Sequence, residues 1–268
     1  MKPLLKWIGG KTQILSDVLS TFPETIADYH EPFLGGGSVL LAVLPRVTGT
    51  VYASDVNPSL INFYTMVKTF PEHLITCLRV LQDEYNSAVE KEVFYYKMRD
   101  LFNKTPKMGP EAGALFLFLN KAGFRGMYRE GPNGFNVPFG HYKSVSIVEE
   151  DQIRNVSKAV QRVVFTCQGF EDSLKYVKPG DFVYADPPYV PETLTSFVGY
   201  VADGFDKHEH LFTMLKSLPC LFVMSNADVA VVHESFGRDY DVKKVLARRA
   251  IHARDPSTRT MEVLIIKI

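Results

Sequence analysis

The chain has 268 residues, of which 46% are hydrophobic and 22% are charged, and its formal net charge is zero. This composition is ordinary for a soluble globular protein, and the length allows one large domain or a core with an inserted module. No apolar run reaches the ~20 residues of a membrane span. The first residues lack the apolar stretch and cleavage site of a signal peptide, so we expect a cytoplasmic protein with no membrane partner.

The first and last parts of the chain alternate between strand-like and helix-like runs. Helical patterns cover residues 11–22, 59–69 and 151–161. Strand-like runs cover residues 28–33, 49–55, 162–168, 180–186, 220–226, 240–246 and 262–268. This alternation predicts an α/β fold with a mostly parallel seven-stranded sheet. No helical pattern separates the last two runs, which predicts a terminal antiparallel hairpin.

The character of the sequence changes between about residues 70 and 146. Two amphipathic helical patterns are followed by "GPEAGALFLFLNKAGF", which is typical of a buried helix. The next stretch, "RGMYREGPNGFNVPFGHYK", is a long loop rich in Gly, Asn, Pro, Arg and Tyr. Long loops of this kind are usually functional or disordered, and the density of aromatic residues favours function. We therefore predict a mainly helical insertion in the α/β core.

The stretch "EPFLGGGSVLL", residues 31–41, takes a strand directly into three glycines and then a helical pattern. Glycines at such a point permit a tight turn and a close approach of the backbone to a ligand. Asp55 ends the next strand, where nucleotide-binding α/β domains place an acid that accepts from ribose hydroxyls. Asp55 or Asn57 could instead cap the helix that begins near Ser59. Because Asn57-Pro58 suits the cap, we assign Asp55 to the ligand.

A second strand-like run ends in "VYADPPY", residues 183–189. Proline cannot donate to a sheet ladder, so the strand is predicted to stop at Asp186. A carboxylate and a carbonyl held in fixed directions beside an aromatic ring suit a planar amino group on a heterocycle. An ordinary structural turn is the alternative.

The N-terminal stretch "LKWIGGKTQIL" superficially suggests a phosphate-binding loop. That motif requires glycine where this chain has Leu5, and no strand precedes it. A phosphoryl-transfer enzyme is therefore disfavoured.

Two other features bear on partners and metals. Positive charge is concentrated in residues 243–259, where Lys243, Lys244, Arg248, Arg249, Arg254 and Arg259 stand against one acid. This segment is either a phosphate-facing stripe or a solvated strand pair. Cys77, Cys167 and Cys220 form no CxxC pair and lie near no histidine cluster. That pattern argues for a reducing interior and against zinc, so no metal is expected.

Together these stretches resemble the Dam-type (α-arranged) DNA adenine-N6 methyltransferases, which use S-adenosyl-L-methionine. The resemblance covers nearly the whole chain. It is carried, in order, by "KWIGGK", "EPFLGGGS", "SDVNPSLINFY", "FNVPFGHYK", "GDFVYADPPY" and "MSN". It implies a Rossmann-like methyltransferase domain formed by residues 1–66 and 147–268, with an inserted helical target-recognition domain at residues 67–146.

The resemblance also implies a role for each matched position. The catalytic tetrad is Asp186, Pro187, Pro188 and Tyr189. The cofactor contacts are Trp7, Lys11, Phe33, Gly35, Gly36, Gly37, Asp55, Phe170 and Asp186. The DNA contacts are Lys6, Arg125, Arg129, Asn136, Pro138, Tyr142 and Lys143. Two departures lie in the DNA-reading insertion, because Arg125 replaces the family's usual asparagine and His141 stands where arginine is common.

The expected reaction is transfer of a methyl group to the N6 atom of adenine in double-stranded DNA, by base flipping and direct in-line displacement. The recognition site is expected to be GATC or a related short palindrome, and the host is expected to be prokaryotic, phage or viral. We expect a monomer and leave open a cognate restriction endonuclease as a partner. Alternatives are a methyltransferase for RNA adenine or a protein amide, and an inactive DNA-binding relative.

Overall fold

The fold is built on a seven-stranded sheet, seen in a computed structural model that describes residues 1–191, 205–248 and 259–267. The strands are β1 (Tyr29–Glu31), β2 (Val51–Asp55), β3 (Glu130–Gly131), β4 (Gly134–Phe135), β5 (Val163–Cys167), β6 (Phe182–Ala185), β7 (Leu221–Ala227), β8 (Asp241–Arg248) and β9 (Arg259–Lys267). β3 and β4 form a separate two-stranded hairpin.

Helices connect most of these strands. They are α1 (Leu15–Leu19), α2 (Ser38–Val43), α3 (Pro58–Thr69), α4 (Pro71–Ser87), α5 (Lys91–Lys104), α6 (Gly109–Ala122), α7 (Glu150–Ala159), α8 (Phe170–Ser173), α9 (His208–Ser217) and α10 (Ala230–Phe236). Within the described ranges, no helix is both long and apolar enough to cross a membrane.

The order of the strands in the large sheet is β5-β2-β1-β6-β7-β9-β8. The first five are parallel, whereas β9 runs antiparallel to both β7 and β8. The predicted mostly parallel sheet of seven strands with an antiparallel terminal hairpin is confirmed. The chain first builds outward from β1 to β5 and then returns to β6 on the other side of β1. The carboxyl ends of β1 and β6 therefore form a topological switch point, where open α/β sheets bind ligands.

The burial of the two strands at the switch point agrees with their central place in the sheet. All residues of β1 and β6 are buried, as expected for central strands covered on both faces. Their register pairs Tyr29 with Phe182 and His30 with Val183. β6 ends at Ala185, directly before Asp186 and the two prolines, as the sequence predicts.

The described residues divide into two compact units. One, the helical unit, contains Met1–Ile8 and Asn57–Gln161, and the other, the sheet unit, contains Gly9–Val56 and the described residues from Arg162 onward. The helical unit includes α3 and α7 as well as the predicted insertion, so its bounds are wider than residues 67–146. At its centre lies α6, which buries ten of its residues and confirms the predicted buried helix. The assignment of catalysis and target recognition to separate domains stays a prediction.

One helix is shorter than predicted. Residues 11–22 form a 3₁₀ turn at Lys11–Gln13 and then α1, which ends at Leu19. The hydroxyls of Ser20 and Thr21 donate to the carbonyls three residues earlier, at 2.7 and 2.6 Å. Such local bonds compete with continuation of the helix, which ends there.

Candidate functional site

The turn after β1 lies at the carboxyl end of the sheet. Gly35 and Gly37 have φ angles of 49° and 68°, in the left-handed region that favours glycine. Gly37 is also the N-cap of α2. The backbone N–H of Gly35 donates to Oδ2 of Asp55 at 3.0 Å, so the glycine turn and the end of β2 are in direct contact.

Asn57 has the capping role that the sequence predicts. Its side-chain oxygen accepts from the N–H groups of Ser59 and Leu60 at 3.0 and 3.1 Å, at the N-terminus of α3. The helix start is therefore satisfied without Asp55. The assignment of Asp55 to a ligand stays a prediction.

Asp186 lies at the end of β6 and forms an ion pair with Lys11. The Lys11 Nζ atom is 2.8 Å from Asp186 Oδ2, and the two side chains are 4% and 20% exposed. Two further hydrogen bonds hold Lys11. The Ser38 hydroxyl oxygen accepts from the backbone N–H of Lys11 at 3.2 Å, and the Lys11 Nζ donates to the Gly9 carbonyl at 2.8 Å. The pair links the N-terminal turn to the end of β6, which the sequence spacing did not reveal.

The second carboxylate oxygen of Asp186 differs from the first. Oδ1 is buried and has no hydrogen-bond partner among the described residues. Burial raises the pKa of Asp186 from 3.8 to about 6; the charge of Glu262 adds to this effect, and Lys11 opposes it. A buried acceptor without a partner is costly, and such groups are often found where a ligand supplies the missing donor.

The residues after Asp186 are held by contacts from three other elements. The Tyr189 hydroxyl donates to Oε2 of Glu262 at 2.7 Å, and the Val190 N–H donates to Oδ1 of Asn226 at 3.0 Å. The carbonyl of Pro188 is 2.9 Å from Nε2 of His208. These contacts fix the direction of the Asp-Pro-Pro-Tyr segment.

Two aromatic residues of the predicted cofactor set are also brought together. The rings of Phe33 and Phe170 stack with centroids 5.7 Å apart, and Phe205 packs against both. Phe170 opens α8, directly after β5, and is buried. Phe33 follows β1. Both therefore lie after the carboxyl ends of parallel strands.

Trp7 belongs to the helical unit and not to the sheet unit. Its ring stacks on Tyr128 with centroids 6.0 Å apart and lies 6.5 Å from Phe116. The structure therefore groups Trp7 with residues of the predicted insertion. Its predicted contact with the cofactor stays a prediction.

The predicted DNA contacts lie in the helical unit, where several touch one another. Lys6 Nζ lies 4.4 Å from the centre of the Tyr142 ring, and the Tyr142 hydroxyl accepts from the Arg125 N–H at 2.8 Å. The Arg129 guanidinium donates to Oδ1 of Asn136 at 2.6 Å.

The remaining two predicted DNA contacts, Pro138 and Lys143, are exposed, as are most of the predicted DNA contacts. The Pro138 carbonyl accepts from the Phe124 N–H at 2.9 Å, and Lys143 lies one residue beyond Tyr142. Arg125 adopts a φ angle of 55°, which is uncommon for any residue other than glycine or asparagine. The position where the resembling family has asparagine is therefore left-handed in this chain.

The basic segment of residues 243–259 forms parts of β8 and β9. Lys243 pairs with Asp17 at 2.9 Å, and Lys244 pairs with Asp228 at 2.7 Å. Arg249 and Arg254 lie outside the described residues. Because both lysines are neutralised by acids of the chain, the solvated strand pair is the better interpretation for this part, and the phosphate-facing stripe stays a prediction.

Three potential metal ligands meet in the helical unit. One ligand atom each of His73, Cys77 and Glu111 lies within 4.8 Å of the other two. His73 and Glu111 are 56% and 66% exposed and approach each other at 3.6 Å. Exposed side chains of this kind pair without an ion, so we assign no metal, and the expectation of a metal-free site stays a prediction.

Sequence reasoning missed several polar residues around the site. Glu31, at the end of β1, is buried and accepts from the Tyr29 hydroxyl at 2.7 Å; burial raises its pKa to about 8. Asn226 and Glu262 were missed as partners of the Asp-Pro-Pro-Tyr segment. The stretch "MSN" carries no assigned role in the sequence, and "EVLIIKI" predicts only a strand. Their proximity depends on the register of β7 and β9, which no local pattern encodes.

Comparison with known proteins shows which family this chain resembles. The model of the D12 class N6 adenine-specific DNA methyltransferases matches residues 7–251. The type II methyltransferase M.MjaIII of Methanocaldococcus jannaschii is 37% identical over 271 residues, which cover 95% of this chain and 94% of that protein. The retron Ec67 DNA adenine methylase of Escherichia coli is 34% identical, covering 94% and 86%.

A third relative leads to the same family. The DNA adenine methylase of Escherichia coli strain K12 is 31% identical over 273 residues, which cover 98% of this chain and 94% of that protein. Matches of this length include both the glycine turn and the Asp-Pro-Pro-Tyr segment. The chain therefore belongs to the D12 class of N6 adenine-specific DNA methyltransferases.

Proposed function

We propose that this adenine DNA methyltransferase acts on a flipped adenine held at Asp186–Tyr189, with S-adenosyl-L-methionine bound over the glycine turn. One observation carries the proposal: Asp186 Oδ1 is a buried acceptor without a hydrogen-bond partner among the described residues. It lies at the switch point of the sheet, where ligands of open α/β folds bind. The exocyclic amine of adenine is a donor that would satisfy it.

The donor and acceptor groups of the sheet unit fit the proposed cofactor. Gly35 and Gly37 form a left-handed turn without side chains at the start of α2, which leaves room for close approach of a ligand. Asp55, in contact with that turn, offers carboxylate oxygens for ribose hydroxyls. The stacked rings of Phe33 and Phe170 provide an apolar surface for a purine.

When bound, S-adenosyl-L-methionine supplies a methyl group on a sulfonium, which is a good leaving group, so the transfer requires no covalent enzyme intermediate. The protein's task is to position the amine and to accept hydrogen bonds from its two N–H groups; one of these protons would leave N6 as the N–CH3 bond forms and the S–CH3 bond breaks. The adenine amine is a poor nucleophile because its lone pair is delocalised into the ring. Hydrogen bonds from the amine to Asp186 and to the Pro187 carbonyl would hold it and direct its lone pair.

Lys11 restricts how the base can enter. Its Nζ is 2.8 Å from Asp186 Oδ2 and 5.0 Å from the centre of the Tyr189 ring. A base that stacks on Tyr189 and donates to Asp186 must share the carboxylate with this ammonium group. We propose that Oδ1 accepts from the base while Oδ2 keeps Lys11, so that Lys11 holds Asp186 ionised during the reaction.

Sequence reading is proposed for the exposed residues of the helical unit. Arg125, Arg129 and Lys143 carry positive charge suited to phosphates and to base edges. A guanidinium group reads guanine in the major groove through two hydrogen bonds. Arg129, whose guanidinium is oriented by Asn136, is the candidate for such a contact, which suits a GATC-like site with its guanine.

The test is incubation of the purified protein with labelled S-adenosyl-L-methionine and separate samples of duplex DNA, RNA and protein. We expect label in DNA alone, and N6-methyladenine as the labelled nucleoside after digestion and mass spectrometry. 2-Aminopurine at the target position should gain fluorescence on binding, because a flipped base loses its stacking neighbours. Label in RNA or protein, or fluorescence that stays quenched during turnover, would contradict the proposal.

A further inference from the structure

The Asp-Pro-Pro-Tyr segment has a partner on a distant strand. Glu262 lies on β9, opposite Ala227 at the carboxyl end of β7. Its Oε2 atom accepts a hydrogen bond from the Tyr189 hydroxyl at 2.7 Å. Burial raises the pKa of Tyr189 well above its ordinary value, and the neighbouring charges of Asp186 and Glu262 act in the same direction. The hydroxyl therefore stays protonated and acts as a donor.

The neighbouring residue on β7 holds the same segment. Asn226 is fully buried, and its Oδ1 accepts from the backbone N–H groups of Val190 and Ala227 at 3.0 and 2.9 Å. Val190 follows Tyr189 directly. The backbone after the tyrosine and the tip of its side chain are thus held by adjacent strands. Because the hydroxyl oxygen lies on the line through Cβ, Cγ and Cζ, these two contacts fix the direction of the long axis of the ring.

We propose that Glu262 is a positioning residue, which fixes the position and long axis of the Tyr189 ring on which the target adenine stacks and places a second negative charge beside Asp186. This inference rests on the proposed function of Asp186 and Tyr189. It assigns to Glu262 two separable effects, one through the hydrogen bond and one through the charge.

The negative charge of Glu262 acts on the protonation of Asp186. Its carboxylate is faced by six titratable groups from β1, β6, β9, its own segment and the N-terminal turn: Lys11, Tyr29, Glu31, Tyr184, Tyr189 and Glu262. Of these, Lys11 and the Tyr189 hydroxyl stabilise the ionised form, whereas the charge of Glu262 disfavours it. Removing that charge should therefore lower the pH at which Asp186 loses its proton.

Three substitutions separate the two effects. Glu262→Gln removes the charge and keeps an acceptor, Glu262→Ala removes both, and Tyr189→Phe removes the hydrogen bond and keeps the charge. We expect Glu262→Ala and Tyr189→Phe each to lower kcat/KM for DNA about tenfold, the loss typical of one hydrogen bond to a charged group. The double variant should be no worse than either single variant, because both remove the same contact.

The pH profile supplies the readout that a merely structural role would not move. The acid limb of kcat/KM should shift to lower pH in Glu262→Gln and Glu262→Ala. In Tyr189→Phe it should shift to higher pH instead, because the Tyr189 hydroxyl holds the pKa of Asp186 down. The KM for S-adenosyl-L-methionine should stay unchanged in all three. Additive losses in the double variant, or an unmoved acid limb in Glu262→Gln, would overturn the inference. If Glu262→Ala fails to fold, the Glu262→Gln and Tyr189→Phe pair still decides.

Failure of this inference is distinguishable from failure of the proposed function. The wild-type protein is assayed first for N6-methyladenine in duplex DNA. Absence of that product would overturn the function proposed for the site. A wild-type enzyme with that activity, together with Glu262 variants that match it in rate and pH profile, would overturn only the role of Glu262.

Discussion

Replacement of Asp186 by asparagine should strongly reduce activity and stabilise the protein. Asparagine has the shape of the carboxyl group but no charge. The pKa of Asp186 rises from 3.8 to about 6 in the folded protein. A difference of one in pKa corresponds to 1.36 kcal/mol, so ionised Asp186 costs about 3 kcal/mol at pH 8 relative to its neutral form. Asp186→Asn should therefore raise the free energy of unfolding by about this amount.

The pH dependence makes the reasoning testable. Because the folded protein binds this proton more tightly than the unfolded chain, the stability contributed by protonated Asp186 is complete below about pH 3.8. It is lost as pH rises through about 6. The difference in the free energy of unfolding between variant and wild type should shrink from about 3 kcal/mol near pH 8 to about 1 kcal/mol near pH 4.5. Urea denaturation at both pH values measures it.

A matched control is Asp239→Asn, which changes an exposed acid of the same unit and should alter stability by less than about 0.5 kcal/mol. Activity of Asp186→Asn should fall at least about 100-fold, as after loss of one preorganised electrostatic group. Asp186→Asn equal to or less stable than wild type at pH 8 would refute the reasoning. The ion pair with Lys11 would then outweigh the cost of burying the charge.

Three further predictions follow from other parts of the chain. Arg129→Ala should relax the sequence preference more than it lowers the maximal rate; mapped methyladenines confined to the wild-type site would contradict base reading. Asn57→Ala should cost about 1 kcal/mol of unfolding free energy, because two N–H groups of α3 lose their acceptor, and leave cofactor affinity unchanged by calorimetry. Gly37→Ala, at a φ angle of 68°, should cost roughly 1–2 kcal/mol and weaken cofactor binding; an unchanged Kd would argue against a ligand at this turn.

Local chemistry made part of the fold predictable. The end of β6 before Asp186 follows from the two prolines, and the cap of α3 follows from the Asn57-Pro58 pair. The buried helix α6 follows from its continuous apolar run. Each of these features depends on residues that are neighbours in the sequence, so one amino-acid sequence was enough to predict it.

Other features depend on residues that are distant in the sequence. The ion pair of Lys11 with Asp186 joins the N-terminal turn to the end of β6, and no spacing rule connects these two parts of the sequence. The contact of Glu262 with Tyr189 requires β9 to lie beside β7, whereas the sequence predicted only a hairpin of β9 with β8. The short α1 was also mispredicted, because competing hydroxyl bonds at Ser20 and Thr21 are invisible to hydrophobic periodicity.

The position of β9 has a consequence for synthesis on the ribosome. β9 follows β8 in the chain but lies between β7 and β8 in the sheet. Until β9 emerges, β7 therefore has an open edge, and β8 has no strand in the large sheet to pair with. A nascent chain stalled after β8 would expose that edge to other polypeptides, a known route to aggregation. Such a chain would also lack Glu262, so the Tyr189 hydroxyl would have no acceptor on β9 until that strand is synthesised.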